Sequence, residues 1–261
     1  VAVDDRGVFW WHSIDLGDGV VTPGEKTLEL QEHEWRSLRL PSLSGKSVLD
    51  IGSWDGWFAF RAEREGAARV VAVDSFAWSL DFARSEEYWD YVRACEARGE
   101  GFDVWGPDCA WWDGDALVGK RAFDIAHTAL DSRVEPIVAD VVDGSLAELG
   151  PFDVVLFLGV LYHMREPLRA LEQLRAVTRD LAAIETAAIE VAGFEDRSLV
   201  EFVPGYEINS DPTNWYMPTE QATHGMCRAA GFASSESVAR SAVSNHRPGI
   251  TDYRLVLHAR A

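Results

Sequence analysis

The sequence predicts an α/β fold: a mostly parallel sheet with helices on both faces and an antiparallel edge. Three observations carry this. Residues 47–84 read strand, glycine turn, helix, strand, in SVLDIG, GWFAFRAEREG and RVVAVD. Further strand-like and helix-like stretches alternate beyond them, as they do where parallel strands need helical crossovers. Near the end, a helical stretch is followed by DYRLVLHAR, which alternates like a strand with one solvated face.

The elements follow in order. Residues 1–46 form an aromatic-rich leader, with FWWHSIDLGDGVVTPG and then EHEWRSLRLPSLSGK, read as a lid over the mouth of a site. Residues 47–261 form the main domain. Within it, 85–118 break the rhythm, helical in polarity first and then rich in Gly, Pro and Trp. This is an insertion that shapes an acceptor pocket or makes a homodimer contact. GKRAFDIAHTA (119–129) reads as a helix, and VEPIVADV and FDVVLFLGV as strands. EPLRALEQLRAV places Leu168, Leu171, Leu174 and Val177 at helical spacing. LAAIETAAI is another strand, and PTEQATHGMCRAAG a helix stopped by Gly231.

Composition narrows the function. The chain has 261 residues, 47% of them hydrophobic, enough for a sizeable core. The 43 acids against 24 bases give a net charge of −19, the wrong sign for a phosphate backbone, so a nucleic-acid partner is not expected. No apolar run is long enough to span a membrane. The first residues do not read as a signal peptide. Three cysteines without a C-x-x-C pattern indicate neither a disulfide framework nor a zinc site, and fit a reducing cytoplasm. No metal-ligand cluster stands out among the acids, so no metal is expected. The 11 tryptophans suggest aromatic pocket walls.

The chemistry starts at VLDIGSWDGWFAF, residues 48–60. A dinucleotide loop needs a glycine where the backbone meets the pyrophosphate, and Trp54 stands there. Gly52 and Gly56, with Ser53 between them, still allow a tight turn. Asp50 beside it would repel phosphate and pair with an ammonium. Asp74, with Ser75 next to it, ends the following strand where an acid accepts hydrogen bonds from a ribose diol. Asp140 and Val141 end the next strand, where the acid can take the amine of an adenine. Leu158 and Gly159 would floor the cofactor, and Tyr162 and His163 would face the reacting centre. The set fits a nucleoside with an amino-acid tail and no phosphates, which is S-adenosylmethionine (SAM).

These segments, with EHEWRS, GVLYHMREPL, AIET, VPG and YRLVLHAR, resemble class I SAM-dependent methyltransferases. More narrowly, they are similar to the tRNA wobble-uridine carboxymethyltransferase family and its uncharacterised relatives. The resemblance implies a Rossmann-like, seven-stranded sheet. In that family the donor is carboxy-SAM, whose carboxylate is held by a Lys, a Tyr and an Arg. Tyr162 and Arg254 match the last two, while the Lys has only Arg6 as a loose counterpart. The resemblance also places Trp35 against the donor and Leu158 at the methylsulfonium.

Sequence reasoning therefore expects SAM as donor, with carboxy-SAM as the alternative, and a small-molecule hydroxyl as acceptor. Transfer to a tRNA wobble uridine and a non-catalytic SAM-binding role are the other readings. Removing the acceptor proton calls for a base. The candidates are His163, His12 and Glu185. Each has a plain structural alternative: packing against the next helix, lying beside a core aromatic pair, or bonding across strands. Trp10, Trp11, Tyr162, Asn214, Trp215 and Tyr216 are the expected acceptor wall.

Overall fold

The computed structural model describes residues 4, 6–100, 110–203, 205, 211 and 213–261. The leader holds a small hairpin of β1 (Asp15–Gly17) and β2 (Val20–Val21), then α1 (Leu28–Ser37). Next come β3 (Ser47–Ile51), α2 (Trp57–Arg64), β4 (Arg69–Asp74), α3 (Phe76–Ser79), α4 (Ser85–Arg98) and α5 (Arg121–Ala129). They are followed by β5 (Glu135–Val138), β6 (Phe152–Leu158), α6 (Pro167–Val177) and β7 (Thr178–Val191). A short ribbon, β8 (Val200–Phe202) and β9 (Tyr216–Pro218), precedes α7 (Glu220–Ala229), β10 (Ser234–Arg247) and β11 (Ile250–Arg260).

The main sheet has seven strands in the order β10-β11-β7-β6-β3-β4-β5. The β5-β4-β3-β6-β7 run pairs in parallel throughout, and β11 runs antiparallel to both of its neighbours. The expected antiparallel edge is this β10–β11 hairpin. Strand order reverses beside β3, and that switch places the glycine turn at the carboxyl edge where open α/β sheets bind ligands.

Alternation along each strand feeds two cores. Leu49, Ile51, Val71, Val73, Val155 and Phe157 face α6 and α7. Val48, Val70, Ala72, Val154 and Leu156 face α2 and α5. In α6, Ala170, Leu171, Leu174 and Val177 are buried behind Pro167, which opens the helix. Leu168 is an exception to the periodicity, 40% exposed on the outer side. Thr219 caps α7 by accepting from the Ala222 N–H.

The leader is more than a cover. Val8, Trp10 and Ile14 belong to the same core as α2 and α5. Burying three large apolar side chains stabilises by roughly 5 kcal/mol before conformational entropy is counted, so this segment is integral to the fold. In the insertion, Tyr88 and Val92 of α4 make a separate small cluster with Phe76, Trp89 and Trp111. The Gly- and Pro-rich part of the insertion, 101–109 with Cys109, lies outside the described residues, as does Pro204 of the VPG motif. No helix among the described residues is long and apolar enough to cross a membrane.

Candidate active site

The turn after β3 is built on positive backbone angles. Gly52 has φ +79°, Trp54 +51° and Gly56 +89°. A Cβ on Gly52 would lie 2.5 Å from Val160 Cγ2, and one on Gly56 within 2.8 Å of the rings of Phe60 and Phe123. Both glycines are therefore required by close approach as well as by φ. Trp54 tolerates the left-handed region because it is held on three sides. Its N–H donates to Asp74 Oδ2 (3.0 Å), and its carbonyl accepts from the Trp78 indole (2.6 Å). Its ring stacks on Trp11 at 4.8 Å and 6°. A bulky residue thus stands in a glycine position by joining an aromatic stack with the leader.

Two acids lie buried below the turn. Asp50 is 3% exposed, and among the described residues its Oδ2 and the Ser53 Oγ find no hydrogen-bond partner. Burial pushes the Asp50 carboxyl up to about 7. Asp74 accepts from the Trp54 and Ala77 N–H groups, and burial still pushes it to about 6. A buried carboxylate oxygen left unsatisfied in a dry site is completed by a cation or a donor. The ammonium of SAM would complete Asp50, and the ribose diol would give Asp74 donors in place of water. Ser75, half-buried, stands next to Asp74. Asp140 is exposed and caps the Val142 N–H (2.9 Å), with Val141 buried beside it. The residues present fit the donor.

Beyond β6, Leu158 and Gly159 lead into a short 3-10 turn, Leu161–His163. Gly159 has φ +73°, and its N–H donates to the Glu185 carbonyl (3.0 Å). Tyr162, Arg254 and Glu185 converge there: their polar atoms would all lie within 3.8 Å of a Cβ on this glycine. Arg254 holds both carboxylate oxygens of Glu185, one of them at 2.6 Å, and donates to the Tyr162 hydroxyl (3.2 Å). Burial opposes the Arg254 charge, yet Glu185 outweighs it and keeps the guanidinium firmly protonated. Burial raises the Tyr162 phenol as well. Tyr162 and Arg254 are thus brought together, whereas the structure corrects the reading of Glu185 as a base. Its two oxygens orient Arg254.

The two histidines part company. His163 is half-buried beside the Tyr162 ring (4.3 Å between centroids), and its Nδ1 meets the Thr213 carbonyl (3.1 Å) and hydroxyl (2.9 Å). Burial lowers its pKa, with Asp211 pulling the other way. His12 is buried, its Nδ1 2.5 Å from Asp55 Oδ1. The Trp11 and His12 N–H groups both donate to Asp55 Oδ2 (2.9 and 2.7 Å). Asp55 therefore clamps the leader onto the glycine turn, and His12 is a structural partner in that clamp rather than a free base.

The expected acceptor wall is only partly assembled. Trp10 is fully buried in the core and bonded through its indole to Asp4, which corrects its assignment as a wall residue. Trp11 is half-buried on Trp54. Asn214 is buried. Trp215 donates its backbone N–H to the Tyr162 carbonyl (2.8 Å), and its buried indole N–H has no partner among the described residues. Tyr216 opens β9, its hydroxyl 3.5 Å from the Arg165 carbonyl. Trp35 of α1 packs on Trp57 and Phe58 of α2. Arg6 pairs with Asp4. Asp55, Asp211 and Thr213 are functional candidates that sequence reasoning missed. Asp55 stood inside the quoted turn, and the D-P-T run at 211–213 is a turn-forming signal.

The β8–β9 ribbon is tied to the edge hairpin by charge. Arg247 donates to Glu201 and to Asp252, each at 2.6 Å, and Asp252 is 1% exposed. Removing Arg247 strands a buried carboxylate. Arg247→Met should lower unfolding stability by about 2–3 kcal/mol in a denaturant titration. Adding Asp252→Asn should restore part of that loss.

Comparison with known proteins agrees with this geometry. The profile of a methyltransferase domain family matches residues 29–236. The tRNA U34 carboxymethyltransferase of Colwellia psychrerythraea is 28% identical over 207 residues, covering 76% of this chain and 51% of that protein. Its counterpart in Dichelobacter nodosus is 29% identical over 190 residues, covering 72% and 45%. The chain thus spans about half the length of these curated relatives. The N-terminal domain of EvdMO1, solved in the presence of SAH and D-fucose, superposes with a TM-score of 0.60 over 100% of this chain and 98% of that one, at 17% identity. That likeness shares the fold. The seven-strand order and the family match place the chain in the methyltransferase domain family, as a class I SAM-dependent methyltransferase.

Proposed function

We propose that this methyltransferase acts on a hydroxyl of a small-molecule acceptor. The observation that carries the reading is His163. Thr213 accepts at Nδ1, leaving Nε2 as the basic nitrogen at the carboxyl rim of β6. Bound SAM supplies an electrophilic methyl group; the rest falls to the chain. Asp50, Ser53 and Asp74 hold the donor. The stacked Trp11 and Trp54 shield the turn from water. The Trp215 indole offers an unspent hydrogen bond to the acceptor. His163 Nε2 takes the proton as the acceptor oxygen becomes an ether. Alignment can contribute several of the ~7–11 kcal/mol available from proximity. The net charge of −19 favours a small acceptor over a polyanion.

A second reading rests on the Arg254–Tyr162 contact, which has the chemistry to hold a donor carboxylate, and on the relatives named for tRNA U34 carboxymethyl transfer. One experiment separates the two. The purified protein is denatured and the released small molecules are identified by mass, then SAM and carboxy-SAM are each titrated calorimetrically. Our reading expects SAM or its demethylated product, and no salt-dependent gel shift with bulk tRNA. Carboxy-SAM together with a tRNA shift would replace it with the second reading.

A further inference from the structure

We infer that Asp211 and Thr213 are positioning residues that fix the tautomer of His163 and stabilise its protonated form. The inference rests on the reading of His163 as proton acceptor. It follows from counting protons along the chain of contacts. The Thr213 hydroxyl has one proton, and it is committed to Asp211 Oδ1 at 2.6 Å. Its oxygen therefore presents lone pairs to His163 Nδ1 at 2.9 Å. The Thr213 carbonyl, which can only accept, lies 3.1 Å from the same nitrogen. Two acceptors on one ring nitrogen require that Nδ1 carry the hydrogen, so the neutral ring keeps its lone pair on Nε2. Nε2 makes no hydrogen bond to a described residue.

Asp211 is held in place by the same turn, accepting the Thr213 N–H at 2.8 Å. Thr213 itself is buried, so water does not readily replace its hydroxyl in the chain. The charges facing His163 come from three segments. Asp211 favours the imidazolium, and Arg254 of β11 opposes it. Arg254 is in turn bonded to Glu185 of β7 and to Tyr162, whose neutral ring packs on the imidazole. With the guanidinium so paired, Asp211 is, among the described residues, the carboxylate placed to stabilise a proton arriving on Nε2. As that proton arrives, Nδ1–H stays in place and the ring charge is shared along the contact to Thr213 and Asp211. No proton need pass to the aspartate.

The test uses the full chain labelled with 15N-histidine, with the His163 signals assigned by their loss in His163→Gln. Above its midpoint, the wild-type ring should show Nδ1 protonated and Nε2 unprotonated. Asp211→Asn should lower the His163 midpoint by about half to one pH unit. The rising limb of kcat/KM against pH should move by the same amount, with KM for SAM unchanged. Thr213→Val keeps the carbonyl acceptor, so it should retain the Nδ1–H tautomer but lower the midpoint by cutting the link to Asp211, and Thr213→Ser should restore the wild-type midpoint. An Nε2–H tautomer in the wild type would overturn the inference. So would an unmoved midpoint in a folded Asp211→Asn protein, folding being checked by its thermal transition. The resonance arm needs no acceptor, so it can stand or fall separately from the small-molecule reading. If the tautomer and midpoint behave as expected while His163→Gln keeps full activity, the relay holds and the base assignment fails.

Discussion

Without donor, the protein should be more stable at pH 5.5 than at pH 8, and saturating SAM should remove most of the difference. The cause is the buried acid pair. An ordinary aspartate titrates near 3.8, whereas burial holds Asp50 at about 7 and Asp74 at about 6. Between the unfolded and folded values, the folded state binds more protons than the unfolded one. Stability therefore falls as pH rises through that window, and the loss is complete once both groups are ionised. From pH 5.5 to 8 the two together account for about 2–3 kcal/mol. For a chain of this size that is roughly 5–10 °C in thermal midpoint. Asp153, held down at about 2 chiefly by the Ser47 N–H, acts oppositely, but only in stronger acid. An ammonium and a diol against the two carboxylates would favour their charged forms, so the donor flattens the slope. Asp50→Asn should raise the midpoint at pH 8 and weaken SAM binding at least 30-fold, since a buried charge pair is lost. A thermal melt series across pH, with and without SAM, measures both effects. A midpoint that climbs from pH 5.5 to 8 in the free protein would show that Asp50 already has a partner.

His163→Ala should lower kcat by about 10²–10⁴-fold while the calorimetric affinity for SAM stays within a factor of about three. The residue lies at the rim, and its Nε2 makes no hydrogen bond to a described residue. His12→Ala should behave differently. It breaks the contact to a fully buried Asp55, so it should lower stability by about 2 kcal/mol and leave the pH dependence of turnover unchanged. Turnover with a responsive acceptor at several pH values, alongside melts of both variants, distinguishes the two histidines. Full activity in His163→Ala, together with loss of the pH limb in His12→Ala, would reverse the assignment.

The seven-strand architecture was legible because its signals are local. An apolar run such as VLDI, a glycine turn, or the spacing of Leu171, Leu174 and Val177 carries its structural meaning within one element. Asp50 lies next to the end of β3 and Asp74 ends β4, while Asp140 stands two residues beyond β5; all three were expected at one edge because parallel strands bring their carboxyl ends together. Trp54 also argued correctly against a pyrophosphate loop, although nothing local indicated that its ring would stack on Trp11. Trp10 was misplaced for a related reason. An aromatic cluster near a chain start has the same composition whether it covers a pocket or fills a core, and Trp10 fills a core.

What the sequence determined by itself was the class of molecule: a mostly parallel sheet with an antiparallel edge, in a SAM-dependent methyltransferase. What the tertiary structure decided was which polar side chains are free to act. His12 and His163 both follow an aromatic residue and are equally plausible bases on paper. One meets Asp55, 43 residues away, and is used up in holding the leader. The other meets Thr213, 50 residues away, through only one ring nitrogen. Glu185 is taken by Arg254, 69 residues distant, because β11 pairs alongside β7 in a register that puts them on one face. A side chain's chemistry depends on its partners, and partners so far apart in sequence are chosen by strand register and packing rather than by local pattern.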